Sequence, residues 1–331
     1  MITIRHITCL NEQGKRSNIE DAVYPPCGTV NETDRLFLVC DGVGGESKGE
    51  EASRIAVEGF SNYFIKNQES ITDDAAAYLQ DAQEYVIGQM QQYIDIYNDA
   101  ARMSTTLTLA YLLDNKILAA WCGDSRIYHF RNGEILWRSA DHSLVAKLVE
   151  QGEITEQEAE HHHQKNVILR SISAVGSPAT IDTHWLTDIQ SGDYLLLCTD
   201  GVLEQMNTNR WRNLLTNNDP EKKRQILSHC EGHTNDNFSL YLLQLANDAT
   251  PAKQTSAQNK KPIIIGLLVL ALVIMTFGYW LGQRAKPANP AVQKPINTGT
   301  VIANPKNPSA SSKLVVPVFN SKKTDTTDNK H

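Results

Sequence analysis

The 331-residue chain has no CxxC pair, no internal repeat and no continuous apolar core in its opening MITIRHITCLNEQGK. Without that apolar core the N-terminus does not read as a secretory signal. The six cysteines, Cys9, Cys27, Cys40, Cys122, Cys198 and Cys230, lack the spacing of a metal or redox motif. They are expected to be reduced thiols packed as small hydrophobes in a cytosolic domain. His161, His162 and His163 adjoin one another with no spaced Cys or Asp partners, which favours a solvated loop over a zinc site. A basic excess is also missing from most of the chain. Up to Ala249 there are twenty Lys and Arg against thirty-six Asp and Glu, a net charge of about −16. That balance argues against nucleic acid as a partner, since neutralising phosphates needs a basic face.

What stands out instead is a set of acidic turns at the ends of apolar runs: LFLVCDGVGG with Asp41, ILAAWCGDSR with Asp124 and YLLLCTDGV with Asp200. A strand that stops at aspartate and glycine holds a carboxylate at a sheet edge and leaves the backbone open to a close ligand. GKRSNIEDA adds Arg16, Glu20 and Asp21, and GHTNDNFSL adds Asp236. Oxygen donors of this kind suit Mg2+ or Mn2+, whereas zinc prefers His and Cys. Taken singly, each Asp-Gly is only a turn; Asp21 could bond locally, and Asp124 could cap its turn or pair with Arg126. Dispersed along the chain as they are, these donors require folding to assemble a site.

Helical spacing marks residues 47–67 and the stretch from Asp73 to Ala100, where Tyr78, Ala82, Tyr85, Val86, Met90, Tyr93 and Tyr97 form a core-facing stripe. Strand-like runs follow in TTLTLAYLL, KILAAWC, RIYHFRNGEILW, GDYLLLC and NFSLYLLQL. Asp114-Asn115 and Asn132-Gly133 are hairpin signals, so antiparallel pairing is expected, and blocks of helix around strands predict a layered α+β domain.

Residues 1–249 form the expected domain, followed by a polar linker at 250–262. From Ile263 to Gly282 the run IIIGLLVLALVIMTFGYWLG carries no charge. At ~1.5 Å per residue it reaches about 30 Å, enough for one transmembrane helix, with Tyr279 and Trp280 at interfacial depth. Lys253, Lys260 and Lys261 precede it, while Arg284, Lys286 and Lys294 follow, so flanking charge does not set its orientation. The cysteine reading and the lack of a signal favour an inner-membrane, single-pass protein with the domain in the cytoplasm. The tail, 283–331, has the composition of a disordered segment; after Ala249, eleven basic residues face two acidic ones, about +9.

In order, GKRSNIEDA, LVCDGVGGESKGEEAS, MSTTLTLAYL, WCGDSRIYHFRNGEI, ADHSL, NVILRSI, LLLCTDGV and NDNFS resemble the successive motifs of the metal-dependent protein phosphatases, the type 2C serine/threonine family, in its bacterial form. The resemblance implies a four-layer sandwich of two antiparallel sheets flanked by helices. It also implies a centre of two Mn2+ or Mg2+ ions, with a third, weaker ion beside them. On this likeness Arg16 holds the substrate phosphate. Glu20, Asp41, the Gly42 carbonyl, Asp200 and Asp236 are metal ligands, with Asp41 bridging. Asp21 supports them from behind, and Asp124 with Asp200 takes the third ion. Residues 143–176, with the helix-like SLVAKLVEQGEITEQEAE, resemble the family's flap beside the active site. Implied partners are phosphorylated proteins, serine/threonine kinases or their substrates, and the lipid bilayer.

Two departures stand out. Val43 occupies the place of a histidine that is a candidate general acid in eukaryotic members, and Ser104 replaces a common glycine. The expected chemistry is independent of the likeness: a phosphoserine dianion repels hydroxide unless cations offset its charge, and a bidentate arginine fixes the line of attack. The alternative is a catalytically silent phosphoprotein-binding or scaffolding module. Loss of at least one of Arg16, Glu20, Asp41, Asp200 or Asp236 would be expected of it, and all are present.

Overall fold

Strand β3, Leu36–Val43, begins as a run of five buried apolar residues, Leu36 to Cys40. A strand without polar alternation needs apolar cover on both faces. The computed structural model, which describes residues 1–43, 48–67, 71, 74–217 and 221–247, supplies it. Phe37 and Val39 face one way, into a core shared with a second sheet; Leu38 and Cys40 face the other way, into a core shared with helices.

The strand's own sheet also contains β2 (Asp21–Tyr24), β4 (Ser104–Thr105), β5 (Leu107–Leu112), β6 (Ile117–Cys122), β9 (Ile172–Ser173) and β10 (Asp182–Leu186). Its order is β10-β6-β5-β3-β4-β9, with β2 also paired to β3. The second sheet runs β1-β12-β11-β7-β8, built from Ile2–Glu12, Phe238–Asn247, Tyr194–Cys198, Arg126–Arg131 and Glu134–Arg138. Every pairing is antiparallel. The expected hairpins form β5–β6 and β7–β8, and Asn132 takes the left-handed conformation its turn requires, with φ 52°.

Helices α1 (Gly49–Lys66) and α2 (Ala75–Ile96) cover the outer face of the first sheet, with Phe60, Phe64, Tyr78, Ala82, Val86 and Met90 in that core. Short helices α5 (Asp200–Leu203), α6 (Thr208–Thr216) and α7 (Lys222–Cys230) cover the second through Trp211, Leu214 and Ile226. Helix, sheet, sheet, helix is the expected four-layer order. Tyr97, at the end of the tyrosine stripe, is half exposed.

Other expectations need correction. The helix-like flap stretch is two helices, α3 (Leu144–Glu150) and α4 (Glu156–Glu160). Gly152 at φ 72° breaks the first, and the capping box of Thr155 with Glu158 starts the second. Nor are all six cysteines free. Cys9 and Cys27 form a disulfide, because β1 and the segment after β2 lie with Cα atoms 5.3 Å apart, a proximity that their separation of 18 residues does not announce. Cys40, Cys122, Cys198 and Cys230 are free and buried as expected. One support for a cytoplasmic location is thereby removed. The apolar run Ile263–Gly282, the linker and the tail lie outside the described residues; among those described, no helix is long and apolar enough to cross a membrane.

Candidate metal centre

Both sheets contribute strand ends to one place. In register, Asp21 of β2 lies opposite Asp41 of β3, and the Gly42 N–H donates to the Glu20 carbonyl at 3.0 Å. From the second sheet, β11 ends at Cys198 and delivers Asp200 at the start of α5, while Asp236 precedes β12. Gly201 lets these two segments touch: a Cβ there would lie 1.9 Å from the Asn237 carbonyl oxygen and 3.4 Å from the Asp236 Cβ. Gly42 is likewise obligatory, since its Cβ would lie 2.2 Å from the Gly49 carbonyl oxygen. At Gly49 the constraint comes from the candidate donors themselves: its Cβ would meet the Gly42 carbonyl oxygen at 2.9 Å and Glu20 Oε2 at 3.0 Å. The Glu20 carboxylate and the Gly42 carbonyl thus converge.

The cluster is electrostatically uncomfortable. Burial, then the charges of Asp21, Asp200, Asp124 and Asp236, push the Asp41 carboxyl well above its ordinary range. Burial likewise raises Asp21 to about 7, against opposing hydrogen bonds from Ser239 and Thr199. Asp124 is raised to about 7, by burial first and Asp200 next, and Asp200 to about 6, by burial and Asp236. The Oδ1 atoms of Asp124 and Asp200 are buried with no hydrogen-bond partner. A group left in that state costs folding free energy unless something else meets it. Unpartnered oxygens, like charges and a convergent carbonyl fit a hard divalent cation by the chemistry of the donors.

Arg16 lies in the same place but not free. Its Nε and Nη2 donate to the two carboxylate oxygens of Asp236 at 2.7 and 2.6 Å. Among the described residues, no group of three or more acidic, histidine or cysteine side chains is arranged to hold an ion. Asp236, engaged by Arg16, is one expected ligand turned to another partner. The predicted residues are therefore brought into one neighbourhood without being set in ligating geometry. Asp124 does not pair with Arg126, whose guanidinium instead grips both oxygens of Asp141 at 2.7 and 2.6 Å. His161, His162 and His163 lie after α4, with the rings of His162 and His163 4.4 Å apart.

Three supporting residues carried no signal of their own in the sequence. Asn237 accepts from the Glu20 N–H at 2.7 Å and donates to the carbonyls of Gln13 and Asn18, pinning the loop that carries Arg16. Thr199 donates to Asp21 Oδ2 at 3.0 Å. Thr106 Oγ1 accepts from the Asp41 N–H at 3.0 Å and pairs with Ser125 Oγ at 2.8 Å, tying β3 to the turn after β6. Asn237 and Thr199 adjoin acidic residues in NDN and CTDG, which is the available cue; Thr106, in STT, has no acidic neighbour to mark it.

Residues 13–229 match the family model described as Protein phosphatase 2C. Protein phosphatase PhpP of Streptococcus pneumoniae is 33% identical over 218 residues, spanning 65% of this chain and 85% of that protein. The Mycobacterium tuberculosis serine/threonine phosphatase PstP/Ppp superposes with a TM-score of 0.62 at 25% identity, covering 74% of this chain and 100% of that one. The structure of the catalytic domain of PstP in complex with two manganese ions shares the fold, with a TM-score of 0.60 at 24% identity over 74% of this chain and 100% of that one.

Proposed function

The chain belongs to the protein phosphatase 2C family, and we propose that it hydrolyses phosphoserine and phosphothreonine esters on proteins. The observation that carries this reading is the convergence of Glu20, Asp41, Asp124, Asp200 and Asp236 beside Arg16, with two buried carboxylate oxygens unpartnered. When bound, Mn2+ or Mg2+ supplies positive charge against the phosphate dianion and acidifies the attacking water. Glu20, Asp41, the Gly42 carbonyl, Asp200 and Asp236 would hold two ions, and Asp124 with Asp200 a third.

The chain's own residues do the rest. Arg16, half exposed and released from Asp236, offers two parallel N–H groups to the phosphate oxygens and orients phosphorus for in-line displacement. Asn237 keeps the Arg16 loop against β12, so that little ordering remains when substrate arrives. Val43 has no proton to give the leaving oxygen, so that proton must come from solvent or from another group at the site.

The uncharged run Ile263–Gly282 supports a single membrane span, and we propose that the domain lies on its cytoplasmic side. Held there, the enzyme would oppose serine/threonine kinases at the membrane surface by raised local concentration. The test is turnover of p-nitrophenyl phosphate and a phosphothreonine peptide by the purified full chain, with and without Mn2+. Metal-dependent release of phosphate from both is expected. No turnover at any metal concentration would favour a silent binding module. Carbonate-resistant sedimentation of the full chain with membranes checks the anchor, and a freely soluble chain would remove it.

A further inference from the structure

The base of the flap is joined to the Asp124 turn through one side chain that the phosphatase reading leaves unused. His142 lies at the flap's neck, where residues 142–144 run beside 167–169. Its backbone N–H donates to the Gly123 carbonyl at 2.8 Å, and its Nδ1 accepts from the Gly123 N–H at 3.1 Å. With Nδ1 accepting, the ring proton sits on Nε2 and points to Asp182 Oδ2 of β10, 3.1 Å away. On the other side of the neck, the Leu169 N–H donates to the His142 carbonyl at 2.7 Å, and Arg170 Nη1 donates to Asp182 Oδ1 at 3.2 Å while lying 3.3 Å from His142 Nε2, so that Asp182 draws both groups together.

The ring has no room to wander. His142 is 8% exposed and stacks on Trp121 with an interplanar angle of 20°. Gly123 is equally confined, at φ 114° with Thr106 Cγ2 2.7 Å from where a Cβ would be. Asp124 is the next residue, so both backbone groups that set its approach angle are held by residue 142.

We propose that His142 is a positioning residue that sets the Asp124 carboxylate through Gly123 and couples it to the flap through Leu169 and Asp182. Its consequence for turnover rests on the phosphatase reading, whereas the coupling rests on the hydrogen bonds alone. A phosphoprotein that engages the flap is registered at Asp124 by this joint, and a small aryl phosphate is registered less.

Amide hydrogen exchange and steady-state kinetics on the full chain test it with Asp182→Ala, His142→Ala and His142→Asn. Asp182 bonds to His142 and Arg170 and is partly exposed, so its variant is the one expected to fold without difficulty. In Asp182→Ala the Gly123 amide should exchange about tenfold faster, and kcat on a phosphothreonine peptide should fall about tenfold further than kcat on p-nitrophenyl phosphate. His142→Asn keeps an acceptor near the Nδ1 position and loses the reach to Asp182. It should restore Gly123 protection and aryl phosphate turnover relative to His142→Ala, but not peptide turnover. Unchanged Gly123 exchange in Asp182→Ala, or equal damage in His142→Asn and His142→Ala, overturns the proposal. If the unmodified protein hydrolyses neither substrate, the phosphatase reading fails, while exchange at Gly123 still decides the coupling.

Discussion

Arg16 and Asp236, 220 residues apart, form a bidentate ion pair in which both carboxylate oxygens accept from one guanidinium at 2.7 and 2.6 Å. Asp236 is at once a candidate metal ligand and the present partner of the candidate phosphate ligand. The guanidinium stays fully charged, because the Asp236 bond outweighs the loss of water around it.

Replacing Arg16 with alanine should therefore raise KM for phosphopeptides by about 10- to 100-fold, the worth of a charge-assisted bidentate contact. Mn2+ binding, measured by calorimetry, should be equal or tighter, since Asp236 is freed. Weakened Mn2+ binding would make Arg16 a support of the acidic cluster rather than a competitor for it.

The acidic cluster gives the metal-free protein an inverted response to pH. Asp21 and Asp124, at about 7, and Asp200, at about 6, have folded values above the ordinary value of 3.8, so the folded state binds more protons than the unfolded one between the two. Their contribution to stability is present in full below pH 4 and is lost as pH rises through 6 to 7. Differential scanning calorimetry with chelator should thus show this contribution as a Tm lower at pH 8 than at pH 5.5. Added Mn2+ should raise Tm more at pH 8 than at pH 5.5. An equal rise at both values would mean these carboxylates do not face the ion.

Asp193 behaves in the opposite sense, far from the cluster. Burial pushes its carboxyl up, but Arg131 and His129 outweigh burial and hold it at about 2, below the ordinary 3.8. Its contribution is present above pH 4 and is lost as pH falls through 2. Asp193→Ala leaves Arg131 and the buried His129 without their shared partner and should cost about 3–5 kcal/mol in urea unfolding at pH 7. A loss below about 1 kcal/mol would show that water replaces the carboxylate there.

The Cys9–Cys27 disulfide closes a loop of 18 residues joining β1 to the segment after β2. Chain-entropy reasoning gives it about 3 kcal/mol. Reduction, or Cys9→Ser with Cys27→Ser, should lower the denaturation midpoint accordingly. A mass matching six free thiols in protein purified under alkylation would show that the bond does not form in the cell.

Much of the fold was readable because single-residue patterns carried it. Leu36 to Cys40 is apolar at every position, short and followed by Asp41-Gly42, which marks a strand; its cover on both faces appears only in the packed sheets. Asn132-Gly133 could hardly be anything but a hairpin turn, and the Ala82, Val86, Met90 spacing marked the buried side of α2. β1 carries no such pattern although Ile2, Ile4 and Leu10 are buried: its register shifts between Ile4 and His6, which interrupts the alternation of a one-sided strand.

For the site, the sequence alone determined which oxygens are available: Asp41, Asp124 and Asp200 each follow an apolar run, although β3 continues past Asp41 to Val43. It could not determine what those oxygens touch, since such contacts depend on separations that no local pattern encodes. Only the tertiary structure placed Asp236 in the grip of Arg16, turned Arg126 to Asp141 instead of Asp124, and brought Cys9 within bonding distance of Cys27. The physical reason is common to all three. Charge and thiol chemistry act over a few ångströms, and chain positions far apart in order reach that range only after the two sheets have packed.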